Sequence, residues 1–411
     1  MQRFGKWIAL GVLSIAAVAR AGEWPKWLGP DGTGIATDKI ADQWPKDGPA
    51  KVWSQKVGLG FSSAVGVDGK IYFLAMQGAN DVLTAMDAEK GTVIWAESYP
   101  VGHKPAQNQA TNRENGLPVP NATPTIDGDR IYTYGGGGDL VSRNLADGKV
   151  VWKLNILDET GAANLDWNTS SSPLISGNLL YVQGGKDGAV AVAVDKTTGK
   201  FVWKSEKGLG GYAAPLLITV GGTPQLIVFG GNTLFAFDPQ TGKTIWKQPW
   251  QTQYDVNATT PVYKDGHLFI TSAYGHGCAM FSVTASGAKL DWKGKDISSK
   301  FQPCILDNGK LYGNSGGILK CLNWPDKGPA WSSRDVELND GGSFVIDGNQ
   351  LIALSEKGTL SLVHLEAAGP KVVSQVKMFD FDNVWSAPVI YHGKLYVKGK
   401  DELVCLDVSG K

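Results

Sequence analysis

Three polar clusters have the residue types to hold a polar ligand. Asn121 with Thr123, Asp166 with Asn168, Ser171 and Ser172, and Asn257 with Thr259 and Thr260 each run up to a proline that opens a short apolar stretch. Their amides, hydroxyls and single carboxylate can bind the hydroxyl or carbonyl groups of a sugar or a quinone. The plainer reading is that they cap strand starts and bind water. Asn121, Asn168 and Asn257 also stand in glycosylation sequons, but their repeated placement before an apolar run explains them better. A different kind of site is the long stretch 97–120, which carries His103, Lys104, Arg113 and Glu114. A connection of that length, rich in mixed charge, fits a partner-binding loop or a plain surface insertion. Exposed aromatic rings at Tyr212, Tyr274 and Trp385 would suit a carbohydrate.

Covalent and metal chemistry find less support. The five histidines, His103, His267, His276, His364 and His392, show no ligand spacing, and no Walker or EF-hand loop occurs. No metal site is therefore expected. The four cysteines form neither a C-x-x-C nor an adjacent pair, so they read as core residues, not as a redox pair. Gly313 to Gly317 spells G-x-S-x-G, which needs a strand-to-helix elbow around Ser315 to make a nucleophile.

The elements that must position these groups are repeated. One unit reads SSAVGVDGKIYF and then LTAMDAEKGTVIW: a hairpin around Asp68-Gly69, a third strand, a turn at Gly91 and a strand ending at Trp95. A Pro or Ala opens each first strand and an aromatic follows eight positions later: Ala64 and Tyr72, Pro124 and Tyr132, Pro173 and Tyr181, Pro261 and Phe269, Pro388 and Tyr396. The back half repeats as small-x-Asp-x-x-x-Gly-x-x-x-Trp, as in Ala85, Asp87, Gly91 and Trp95. The Asp can bond turn amides, the Gly takes a positive φ, and the Trp is an apolar plate that needs a small residue opposite. Cys321 and Cys405 fall at that small position. The unit from Ser343 lacks its Trp, with Val373 the nearest apolar candidate. The same register puts Ser315 in a strand-to-strand hairpin, which argues against a nucleophile.

Four strands per unit make a propeller blade. The last unit has three strands, and KVWSQKV at residues 51–57 supplies the fourth, with Trp53 in the Trp position. The fold class is therefore all-β: an eight-bladed β-propeller of four-stranded blades, the last closed by an N-terminal strand, spanning 51–411. Residues 1–21 read as a signal peptide, with Arg3 and Lys6 ahead of a 13-residue apolar run and an Ala-Arg-Ala cleavage pattern. Residues 22–50 are an N-terminal extension. Export to the periplasm or beyond is expected, with no membrane span. Net charge is zero, 39 Lys+Arg against 39 Asp+Glu, which disfavours nucleic-acid binding. Glycine, at 53 of 411 residues, fits tight turns between short strands.

These units resemble the PQQ-type repeats of quinoprotein-like β-propellers and are similar to BamB-like outer-membrane assembly proteins. WPKWLGPDGTG, from Trp24 to Gly34, resembles the start of one exported group, and residues 121–152 resemble its second blade. The resemblance covers roughly 51–411 and implies fold more strongly than function. It implies an exported, non-catalytic, monomeric propeller that binds a protein or a small polar ligand on its variable loop face, with no cofactor. One alternative is an alcohol or sugar dehydrogenase using pyrroloquinoline quinone (PQQ) and a divalent cation, for which the channel-mouth candidates are Asn121, Thr123, Asp166, Asn168, Ser171, Asn257, Thr259 and Trp385. The adjacent Cys-Cys pair of many such enzymes is missing. A carbohydrate-binding propeller is the other alternative.

Overall fold

The structure is a computed structural model that describes residues 22–101, 113–114 and 117–410. The expected signal peptide, His103 and Lys104 lie outside the described residues. Arg113–Glu114 forms a two-residue strand against Leu117–Pro118.

Eight four-stranded antiparallel sheets form a β-propeller. Blades 1 to 7 take residues 65–100, 125–155, 174–204, 216–249, 262–294, 305–333 and 343–377. Blade 8 combines 389–407 with Ala50–Lys56, whose Trp53 lies opposite Cys405. Pairing Ala50–Lys56 with the C-terminal strands gives blade 8 its fourth strand and closes the ring of blades. Among the described residues the one α-helix is the single turn Ile156–Thr160. No described helix is long and apolar enough to cross a membrane.

Each blade carries a β-bulge between its third and fourth strands, directly after the residue opposite the Trp position. The bulge aims the Trp sideways, toward the next blade. Ala85, Ser142, Ala193 and Ala236 face Trp95, Trp152, Trp203 and Trp246. Trp53 Nε1 donates to the Ala88 carbonyl at 2.9 Å, Trp152 to Lys196 at 2.9 Å and Trp203 to Pro239 at 2.9 Å. Each acceptor lies in the third-to-fourth-strand turn of the following blade. There the Asp side chain accepts two turn amides, as Asp87 does from Glu89 and Lys90. The turn glycine is required twice over. Gly91 has φ 66°, and a Cβ on it would fall 2.6 Å from the Trp53 ring. In blades 1 to 4 the turn glycine, Gly91, Gly148, Gly199 or Gly242, is thus the floor beneath the previous blade's indole.

Blade 7 departs from the expected pattern. Its bulge sets Ser374, not Val373, opposite Leu362. Ser374 Oγ accepts from the Trp44 amide at 3.1 Å, so the N-terminal extension packs a buried Trp44 over this strand instead. In blade 5 the residue opposite Trp292 is Met280, not a small one.

The extension also occupies the propeller axis. The first strands line that axis, and the segment 24–36 bonds to several of them. Trp24 pairs with Gly66 of blade 1, and the Ile126 amide of blade 2 donates to Pro25. Ile35–Ala36 lies parallel to the first strand of blade 7. Gly34 has φ 76°, and a Cβ there would fall 2.7 Å from Ile305 of blade 6. The chain then crosses the hairpin face, where the Ala41 amide bonds to Val408, and enters blade 8 at Ala50.

Candidate functional site

On the opposite face, above this axial segment, lies a cavity of about 340 Å³. The repeat builds its wall. Counting back three residues from the Pro or Ala that opens each first strand gives Phe61, Asn121, Ser170, Tyr212, Ala258, Lys300 and Trp385, and all seven line it. Counting back one residue gives a second ring. Ser172, Ala214, Thr260 and Gln302 of that ring line the cavity, whereas Ser63, Thr123 and Ala387 face Trp24, Trp27 and Leu28 of the axial segment. Trp27 is shared by both sets and closes the floor, its Nε1 donating to Thr260 Oγ1 at 3.1 Å.

Two aromatic groups form the sides. Phe61 and Phe301 stand 4.7 and 4.8 Å, centroid to centroid, from Trp385. Trp167 meets the edges of Tyr212 and Tyr254, and Tyr254 meets Tyr274 at 5.1 Å. Burial raises the Tyr212 and Tyr274 hydroxyl pKa values, so both are neutral donors. Glu356 joins the first group, accepting from Trp385 Nε1 at 2.6 Å and from the Gly341 amide at 3.1 Å. Lys300 Nζ lies 3.3 Å from Asp340 and 3.8 Å from Glu356, and over the Phe301 and Trp385 rings.

Buried amides hold the loops that present these groups. Gln183 accepts from the Gly211 amide and donates to Ala213, bracketing Tyr212. Asn314 Nδ2 binds the Asn339 and Gly342 carbonyls on either side of Asp340. Lys398, fully buried, donates to the carbonyls of Gly60, Gly399 and Lys400 and so fixes the loop before Phe61. Burial pulls its pKa down to about 7.

The sequence candidates divide. Asn121 and Trp385 meet in the cavity, with Ser172, Thr260, Tyr212 and Tyr274. Thr123 accepts from the Ser63 amide beside the axial segment, and Ser171 accepts from the Gln183 amide. Asn257 binds the carbonyls of Gly230, Gly231 and Trp250, and Thr259 donates to Thr271. Asn168 is buried in a left-handed turn at φ 69°. Asp166 pairs with Lys186 at 2.7 Å. Trp27, Phe61, Trp167, Lys300, Phe301 and Glu356 were not singled out from the sequence. The count of three before the strand-opening residue would have found Phe61 and Lys300.

A quinoprotein cofactor fits this cavity poorly. PQQ carries three carboxylates, and the lining offers one ammonium, Lys300, that already faces two carboxylates. Among the described residues no group of three His, Cys, Asp or Glu side chains could hold a metal ion. The four cysteines are buried and unpaired. Elsewhere on this face a buried acid, Asp81, is pushed up to about 7 by burial and by Asp139. Tyr99 and Lys153, which ion-pairs with Asp139 at 3.3 Å, oppose that shift.

Comparison with known proteins places the chain. It is 27% identical over 160 residues to the outer membrane protein assembly factor BamB of Alkalilimnicola ehrlichii, a match covering 38% of this chain and 39% of that protein. It is 23% identical over 243 residues to a polyvinylalcohol dehydrogenase of a Pseudomonas species, covering 53% of this chain and 36% of that protein. These matches thus span well under half the length of either relative. The crystal structure of BamB from Moraxella catarrhalis superposes with a TM-score of 0.62 at 16% identity, over 87% of this chain and 96% of that one, which shows a shared fold. The family described as outer membrane protein assembly factor BamB matches residues 106–333, more than half of the chain, and the protein belongs to that family.

Proposed function

We propose that this protein is an exported, non-catalytic scaffold of the cell envelope that presents its connection face to a protein of outer-membrane assembly. One observation carries the reading: the aromatic rings of Tyr254 and Tyr274, 46% and 47% exposed, stand at the mouth of the cavity on the face formed by the inter-blade connections. Such rings give large contact area at low conformational cost. The stretch between blades 1 and 2 that carries His103, Lys104, Arg113 and Glu114 is the second contact region of this reading. Residues 1–21 direct export, 22–50 serve as the axial extension, and 51–411 form the working propeller. No cofactor is required, and the protein acts as a monomer.

The test is affinity capture from envelope extract with the intact chain, a Tyr254→Ala variant and a variant lacking residues 103–114. Capture of an outer-membrane assembly component, lost in either variant, is expected. Retention of that component by both variants would contradict the reading. So would saturable dye reduction by the pure protein with PQQ, calcium and an alcohol.

A further inference from the structure

We infer that the axial cavity is a binding site for a neutral saccharide unit, a function separate from the capture of a protein partner. An anion would meet the Glu356 and Asp340 carboxylates with one ammonium, Lys300, already beside them at 3.8 and 3.3 Å. A cationic ligand would seek the Phe301 and Trp385 rings, but Lys300 Nζ already lies over both, at 5.0 and 5.4 Å. A wholly apolar ligand would strip water from Lys300 and Glu356 without replacing its hydrogen bonds.

A pyranose ring matches what remains. Its C–H faces stack on aromatic rings, and Trp385, Phe61, Phe301, Tyr212, Tyr274 and Trp167 all line the cavity. Its hydroxyls both donate and accept. Asn121 spends its Nδ2 on the Trp167 carbonyl and Ser170 Oγ, at 3.0 and 2.8 Å. Its Oδ1 is buried without a hydrogen-bond partner, so Asn121 positions the Trp167 and Ser170 side of the wall. Glu356 supplies acceptors and Lys300 a donor. Few polar groups set among aromatic walls are what orients a small ligand in a concave site.

The experiment titrates the pure full-length protein with cellobiose, maltose and N,N′-diacetylchitobiose, following tryptophan fluorescence. Saturable quenching or enhancement by at least one is expected, since Trp27, Trp167 and Trp385 line the cavity. Glu356→Ala and Tyr274→Ala should each weaken it about tenfold, the loss of one good contact. Tyr274 is half exposed, so its variant keeps the fold, which a thermal melt checks. No saturable signal with any of the three sugars would overturn the inference. Equal affinity in wild type and the Tyr274→Ala variant would overturn it as well, as would tighter binding of PQQ than of every sugar. None of these results bears on partner capture, which is read with envelope extract.

Discussion

The contact between Trp53 and Gly91 joins the closing blade to blade 1, and a double-mutant cycle measures it. The Trp53 indole is 8% exposed, lies 5.9 Å from the Tyr396 ring and donates to the Ala88 carbonyl. Trp53→Ala should cost roughly 3–5 kcal/mol, the usual range for removing a buried indole. The lost hydrogen bond adds little, because Tyr396 Oη also donates to the Ala88 carbonyl, at 3.0 Å. Gly91→Ala places a methyl 2.6 Å from the ring at φ 66°. It should cost about 1–3 kcal/mol for overpacking and about 1–2 kcal/mol for the left-handed backbone. With the indole gone, only the backbone part of that cost remains. The double variant should therefore be more stable than the sum of the single effects by about 1–3 kcal/mol. Urea unfolding followed by both circular dichroism and fluorescence reads all four proteins. Additive effects, or a Trp53→Ala cost below about 1 kcal/mol, would refute the interlock.

Three further outcomes follow from buried groups and from the axial segment. Asp81 has a raised pKa of about 7, so the folded state holds a proton that the unfolded chain releases near pH 4. Stability should fall as pH rises from about 4 to about 7, by on the order of 2–4 kcal/mol, and Asp81→Asn should flatten that slope in thermal melts. Removing residues 22–40 deletes the acceptors of the Gly66, Ile126 and Ile346 amides, so hydrogen exchange at these three should accelerate while the outer strands of blades 3 and 4 stay protected. The four thiols are buried, with Cys304 and Cys405 pushed up to about 12 by burial. A disulfide reagent at pH 8 should label them only at the rate of unfolding.

Much of the fold was legible because the repeat states it locally. Trp53 opposite Cys405, and Cys321 opposite Trp331, lie where the count from the blade Trp puts them. Two features escaped that count for physical reasons. The turn glycine looked like a matter of φ alone, since its second duty, against Trp53 or Trp203, is a contact across blades that one unit does not contain. WPKWLGPDGTG has neither strand alternation nor helical period, so nothing local shows that it fills the axis. It is held by the first strands of other blades, as Trp24 is by Gly66.

The site was legible in part. Asn121 and Trp385 were reachable from sequence because they precede a strand-opening Pro. Asn257 and Thr259 share that sequence context, but their side chains turn inward to bind carbonyls. Composition does not distinguish an amide that holds a loop from one that faces a cavity. Glu356 belongs to a different loop set, between second and third strands, and reaches the site through Trp385 Nε1.

Site-specific photocrosslinking in cell envelopes tests the scaffold reading most directly. A photoreactive residue at Tyr254, on the connection face, is compared with one at Val150, 51% exposed on the outer strand of blade 2. The account predicts a crosslink to an outer-membrane assembly protein from position 254 and none from position 150. A crosslink to such a protein from position 150 alone, or none from position 254, would contradict it.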